Sequence, residues 1–390
     1  MTIETRPKAI IIGSADVIKL CVIRAVGSFG CDVDVVHLGK KRKLINPVDY
    51  YSKYVNHYYY TSRDNVIQFL LNNCSSPNAK PVIFTLDDYS TYLIDRAREQ
   101  LESSFLFAHL SSDGSLADLM NKHWLKTKAL EVGMNVVQGW PIPFENGKFS
   151  IPEGIKYPCF VKGLQSVYVS KGVQCRCDSY EELQLLLESC QKKYPHPVYA
   201  EEFISIDKDF GVIGVSDGEK CFIPAKAELL EMGKGSTHGV SMLGRISPLD
   251  NTSLGKKIEK LLGEIRYVGI FNVDFVESKG EMYFIEMNFR FAAYGYGVFR
   301  AGCNLPAIFI NSVNGNGIDS LQKTIVGSHY YLNEKIGLAN VMEKSISREK
   351  YKALKKKADF TLVKDKEDSK PYRLFIFKYL LSYIMSKLRV

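Results

Sequence analysis

The chain has 390 residues, 46% of them hydrophobic and 24% charged, with a formal net charge of +8; this is the composition of an ordinary globular protein with room for two or three domains. Met1 to Pro7 is short and polar and runs straight into an apolar strand, so a secretory leader is not expected and a cytoplasmic protein is. Nine cysteines are scattered through apolar segments, and Cys175-Arg176-Cys177 has the wrong spacing for zinc or a redox pair, which makes them reduced core thiols.

Basic clusters stand at Lys40-Lys41-Arg42-Lys43 and Lys355-Lys356-Lys357 without interleaved stacking aromatics. Nucleic acid is therefore not expected as a partner, and anionic small substrates or an anionic membrane surface suit the modest positive field better. In chain order, Lys8 to Asp16, Val17 to Phe29 and Cys31 to Leu38 read as strand, helix and strand, the start of a βαβ unit. Only Gly13 stands at the first turn, so the dinucleotide fingerprint is absent and a nicotinamide cofactor is not expected. Pro81 to Leu86 is a further buried strand with Asp87 and Asp88 at its carboxyl end. Those acids either face a ligand or cap a helix over 89–102.

Asp118 to Val132 predicts one helix carrying Lys122, Lys126 and Lys128 and ended by Gly133. Tyr157 to Gly163 sets Lys162 inside an apolar strand, where an ammonium must snorkel or meet an anion. Leu164 to Gly172 is a candidate phosphate-covering loop, and Asp178 to Lys193 an amphipathic packing helix. In the strand Val198 to Ile204, Glu201 and Glu202 face opposite ways, so one points into a site and the other to water. Gly233 to Gly239 is a glycine-rich loop without Walker A spacing.

Phe271 to Arg290 reads as a metal-binding hairpin. With Ser278-Lys279-Gly280 as a three-residue loop and Glu277 facing Glu281, Asp274 pairs with Phe284. Asp274, Glu286 and Asn288 then project from one face, with Arg290 sharing their parity. Two carboxylates and an amide oxygen make the hard-oxygen set that Mg²⁺ takes when phosphates and water complete its octahedron. Residues 281–291 alternate poorly, and their polar members sit in an otherwise apolar run, so they need partners.

Lys122 at a helix start, Lys162 in a strand, Glu201-Glu202-Phe203-Ile204 and the Asp274, Glu286, Asn288 hairpin, in this order over about residues 8–317, resemble the ATP-grasp superfamily. Within it the chain looks most like the carboxylate-amine ligases of the D-aspartate ligase and carbamoyl phosphate synthase large-subunit group. The resemblance implies mixed α/β and α+β architecture. A Rossmann-like domain (1–115) would precede two α+β subdomains (116–198 and 199–318), followed by a basic extension with an amphipathic tail helix (319–390).

It also implies roles. Lys122 and Lys162 would contact ATP phosphates, and Glu201 with the backbone of Phe203 and Ile204 would form the adenine edge. Asp209 would bind the ribose. Asp274, Glu286 and Asn288 would hold one or two Mg²⁺, with Mn²⁺ as the alternative ion, and Arg290 would stabilise an acyl phosphate joined later by an amine. Two departures stand out: Leu164 to Gly172 is poor in glycine, and Phe291 to Gly297 replaces the usual glycine pair, which would reshape an acceptor pocket. The implied activity is an ATP-dependent ligase joining a carboxylate to an amine, in cell-wall or surface-polysaccharide synthesis. An acid-thiol ligase, a kinase or a non-catalytic nucleotide-binding scaffold are the alternatives.

The last run, 372–390, is rich in Leu, Ile and Phe punctuated by Arg373, Lys378, Lys387 and Arg389. It falls short of the roughly 20 apolar residues that span a bilayer. Two readings stand: an interfacial helix at the inner face of the membrane, or one packed on its own body or a second copy.

Overall fold

The computed structural model describes residues 6–14, 16–41, 46–76, 79–111, 114–145, 148–168, 173–194, 196–233, 241–249 and 251–388. Parts of two expected loops, residues 169–172 and 234–239, and the final two residues of the tail lie outside them.

Among the described residues three sheets organise the chain. The first is parallel, with β1 (Lys8–Gly13), β2 (Asp32–Leu38), β3 (Val55–Thr61), β4 (Val82–Thr85) and β5 (Leu106–Phe107) in spatial order β3-β2-β1-β4-β5. Its central strands read as continuous apolar runs because both faces are covered: Ala9 and Ile11 enter one core, Ile10 and Ile12 another. The strand order reverses between β1 and β4, where open α/β sheets form a crevice at the strands' carboxyl ends. Asp87 stands there as the N-cap of the helix Asp88–Arg96, accepting from the Ser90 N–H. The cap reading therefore holds for Asp87, while Asp88 turns towards Arg290.

A short strand, β6 (His109–Leu110), leads out of this sheet and pairs with a strand of the third. The second sheet is antiparallel, formed by β7 (Gly139–Ile142), β8 (Cys159–Gly163), β9 (Cys175–Cys177) and β10 (Val198–Glu202) in the order β7-β10-β8-β9. Leu183, Leu187 and Cys190 of the helix Tyr180–Lys193 pack on its apolar face. On the other face Tyr199 lies opposite Lys162, and Glu201, two residues on, shares that side. Glu202 points away and pairs with the exposed Lys156.

The third and largest sheet comprises β11 (Lys208–Asp217), β12 (Cys221–Met232), β13 (Ser241–Ser247), β14 (Tyr267–Ser278), β15 (Glu281–Asn288), β16 (His329–Leu332) and β17 (Phe360–Thr361). They run in the order β15-β14-β11-β12-β13-β16-β17, with β6 on β14. Strands from beyond residue 318 thus complete the large sheet. The chain then returns to the first domain: the buried Arg24 pairs with Asp368 at 3.0 Å and donates to the carbonyls of Leu362 and Val363, and Ser52 adds a bond to Asp368. Phe309 meets Phe84 of β4 edge-on, so one apolar core runs from the parallel sheet into the large one.

Three local expectations change. The helix expected over 118–132 is two, Leu116–Leu119 and Lys122–Glu131, because the Asn121 side chain accepts from the His123 and Trp124 N–H groups and caps a fresh start. The β14–β15 loop has two residues: Ser278 pairs with Glu281, and Lys279 (φ 52) and Gly280 (φ 81) both take the left-handed conformation a tight hairpin turn demands. The tail helix Lys370–Leu388 is apolar around most of its circumference, so its sidedness comes from its neighbours.

Candidate functional site

Continued straight from its two-residue turn, the hairpin ladder would set Ile285 opposite Asp274 and turn Glu286 to the other face. A bulge prevents this: the register shifts by one between Asp274 and Phe275, so Glu286 faces Asp274 and Asn288 faces Asn272. The poor alternation of 281–291 is the trace of that bulge. Phe284 and Met287, three residues apart, both enter the core beneath the sheet. The expectation that Asp274, Glu286 and Asn288 share a face is met, but the pairing of Asp274 with Phe284 gives way to pairing with Glu286.

Asp274 is buried and accepts from Asn288 Nδ2 at 3.2 Å and Asn272 Nδ2 at 3.4 Å, with Tyr294 Oη at 3.5 Å. Asn288 Oδ1 accepts from Arg290 Nη2 at 3.2 Å, and Arg290 Nε is 2.6 Å from Asp88 Oδ1. Burial works against the Arg290 charge, but Asp88, Glu286 and Asp87 outweigh it and raise its affinity for the proton. Asn272 Oδ1 is buried without a hydrogen-bond partner among the described residues. This donor set fits a hard divalent cation: two carboxylates directly across a ladder, with amide oxygens beside them. No group of three or more His, Cys, Asp or Glu among the described residues could hold a metal by itself, so a cation held here would need further ligands such as phosphate and water.

Asp209 of β11 is buried on the same face, two residues from Gly211, which lies opposite Asp274. Gly211 has a steric reason: a Cβ there would come within 2.2 Å of Tyr294 Oη, the group that reaches Asp274.

The second sheet contributes the cations. Lys162 Nζ lies 2.6 Å from Glu201 Oε1 and Lys126 Nζ 2.5 Å from Oε2, so one buried carboxylate is shared by two ammonium groups. Burial pushes the Glu201 carboxyl up, but Lys162 and Lys126 overcome it and hold it at about 2. Burial and the repulsion of Lys162 lower Lys126 to about 8 against the pull of Glu201. Lys122, one turn before Lys126 on the same helix face, donates to Ser166 Oγ at 2.9 Å and stands 3.9 Å from Glu286 Oε2. Burial lowers its proton affinity, Glu286 works in the opposite sense, and Lys162 adds to the lowering. Lys122 therefore joins the lysine cluster to the carboxylate pair.

Beyond Glu201 the Phe203 N–H is bonded to Pro158 O. Its backbone N–H is therefore taken, and a backbone contact to adenine would come from its carbonyl. Its ring is exposed under the Arg176 guanidinium, and Ile204 is half-buried. Most of Phe291–Gly297, expected to reshape an acceptor pocket, is buried. Phe291, Tyr294 and Tyr296 are buried in the core shared with the parallel sheet, because the short helix Gly295–Arg300 folds back beneath the large sheet. Only Tyr294 Oη reaches the site. Lys126, Asn272 and Ser166 join the set with no role read from the sequence, and Asp88, read there as a ligand-facing or capping acid, joins it through Arg290. For Lys126 the signal was present, four residues after Lys122 and on its face.

Residues 131–299 match the ATP-grasp domain. Over 158 residues, 38% of this chain, it is 30% identical to the carbamoyl phosphate synthase large chain of Clostridium beijerinckii; that stretch is 14% of the relative. At lower identity the fold is shared with the biotin carboxylase domain of a Hydrogenobacter thermophilus 2-oxoglutarate carboxylase, solved with MgADP (TM-score 0.64, 17% identity, 84% of this chain and 74% of that one). It is also shared with an L-amino acid ligase from Bacillus licheniformis (TM-score 0.57, 16% identity, 84% and 79%). Lys162, Glu201, Asp274, Glu286, Asn288 and Arg290 fall inside the matched ATP-grasp residues, and Lys122 and Lys126 just before them.

Proposed function

We propose that this chain is an ATP- and Mg²⁺-dependent ligase that joins a carboxylate to an amine. The observation that carries the reading is Lys122, set between Ser166 and Glu286, which links a buried lysine cluster to a carboxylate pair on one cleft. A triphosphate laid along that line would meet ammonium groups at one end and cation-binding oxygens at the other. Phosphoryl transfer needs little more than such positioning and charge neutralisation.

In this reading a carboxylate oxygen attacks the γ-phosphorus of ATP, releasing ADP and leaving an acyl phosphate. The amine nitrogen then attacks the acyl carbon, phosphate departs, and an amide remains once the nitrogen loses its proton. Lys122 and Lys162 hold phosphate oxygens, Lys162 exchanging its Glu201 contact for them while Lys126 keeps the carboxylate oriented. Glu201 accepts from the adenine amine, and Asp209 binds ribose. Arg290, fixed by Asp88, stabilises charge on the acyl phosphate. Asp274, Glu286 and Asn288 would hold one or two Mg²⁺, or Mn²⁺ in their place, and the ion would neutralise the phosphates.

The acids and amines of cell-wall or surface-polysaccharide synthesis are the substrate class favoured here, D-aspartate with a stem peptide or an amino acid with a uronic acid, in the cytoplasm at the inner face of the membrane. A phosphate-release screen over pairs of amino acids, uronic acids and amines tests it. Amine-dependent phosphate release supports the ligase. Release that responds to thiols or alcohols in place of amines sinks it in favour of an acid-thiol ligase or a kinase.

A further inference from the structure

We propose that the tail helix Lys370–Leu388 docks on the surface of a bilayer rich in anionic phospholipid, laying its apolar stripe among the headgroups. This rests on the placement at the inner face of the membrane given above and not on the ligase chemistry.

One side of the helix is already occupied. It packs on the turn Val48–Tyr51, Tyr372 and Phe375 lean on the main core, Lys378 Nζ donates to Asn46 O at 2.6 Å, and Tyr383 Oη accepts from Arg348 at 3.1 Å. The other side is bare. Phe377 (53% exposed), Leu380 (50%), Leu381 (38%), Ile384 (52%) and Met385 (55%) recur at helical spacing and form one stripe. Single exposed leucines are ordinary, whereas a contiguous stripe on a terminal helix marks a contact surface. No described helix is long and apolar enough to cross a membrane. An exposed apolar stripe without that length suits contact at a surface and not a span.

Charge decides what covers the stripe. Residues 341–390 hold 14 Lys and Arg against 6 Asp and Glu, so a net charge equal to the chain's whole formal +8 resides in its last 50 residues. Tertiary structure adds more: Lys378 is tied to Asn46, five residues from the exposed Lys41. Lys355 of the basic helix Arg348–Lys357 reaches Tyr372 Oη. The basic cluster at Lys355-Lys356-Lys357 thus approaches the tail helix. The turn it rests on exposes Tyr50 and Tyr51, the residue type that favours the headgroup level. A second copy of the chain would bring the same cations against these, whereas an anionic bilayer complements them and takes up the stripe at once.

The test uses the full chain and sedimentation with vesicles of phosphatidylcholine, with or without about one-third phosphatidylserine. Binding is expected only to the anionic vesicles and should fall as salt rises towards about 0.5 M. Leu381→Glu with Ile384→Glu, both exposed and so compatible with folding, should lower binding by about tenfold or more with an unchanged melting temperature. Gln at Lys355, Lys356 and Lys357 should also weaken it. Equal binding to neutral vesicles, or undiminished binding of the double variant, overturns the proposal. So does a chain that ignores vesicles but forms a dimer which the double variant breaks, since the stripe would then be covered by its own copy.

Discussion

Asp274 lies directly opposite Glu286 across the β14–β15 ladder only because the ladder slips by one residue there. Two carboxylates in directly opposed positions repel unless a cation joins them. Asp274→Asn keeps the shape of the opposed pair and removes one of its two charges. The expected outcome is loss of Mn²⁺ binding, read by electron paramagnetic resonance, in a protein that stays folded. Undiminished binding would falsify the assignment of the pair.

Glu286→Gln keeps shape and removes a charge. ADP formation should fall by about a hundredfold or more, with the melting temperature within a few degrees of the parent. Turnover like that of the parent in this variant would remove Glu286 from the metal set.

The shared carboxylate of Glu201 makes a pH prediction. Its folded proton affinity lies at about 2, below the ordinary 4.5. A depressed carboxyl stabilises the fold above its unfolded value, and the contribution drains away as pH falls from about 4.5 to about 2. It is on the order of 3 kcal/mol, since each unit is worth about 1.4 kcal/mol. Urea titrations across this window should show a steep loss in the parent and a shallower one in Glu201→Gln. Parallel curves would count against the two-lysine clamp.

Arg24 and Asp368 tie the end of the chain to its beginning, with both side chains about 2% exposed. Removing one partner leaves the other charge buried. Asp368→Asn should therefore cost about 3–5 kcal/mol in denaturant unfolding. A loss below about 1 kcal/mol would mean that water reaches the pair.

Gly211→Ala should act on the site through sterics alone. The added Cβ meets Tyr294 within 2.2 Å and must displace it from Asp274. Weaker Mn²⁺ binding is expected, with a stability cost of about 1–3 kcal/mol. An unchanged affinity would show that Tyr294 does not support Asp274.

Much of this molecule is written in local sequence. Apolar runs and turns place the parallel sheet, and strand alternation puts Glu201 on one face and Glu202 on the other. The residue types of the hairpin are those a hard-cation site would need, since side-chain chemistry does not depend on the fold. Tertiary structure decided what depends on contacts between distant segments. A ladder slip set the partner of Asp274; the helix restart at Asn121 put Lys122 and Lys126 into the cleft; and Phe291–Gly297 became core because strands from both domains close over it. The bare stripe of the tail belongs to the same class. The sequence supplies its apolar residues all round the helix, and only the neighbours packed on one side determine which of them are left for another surface.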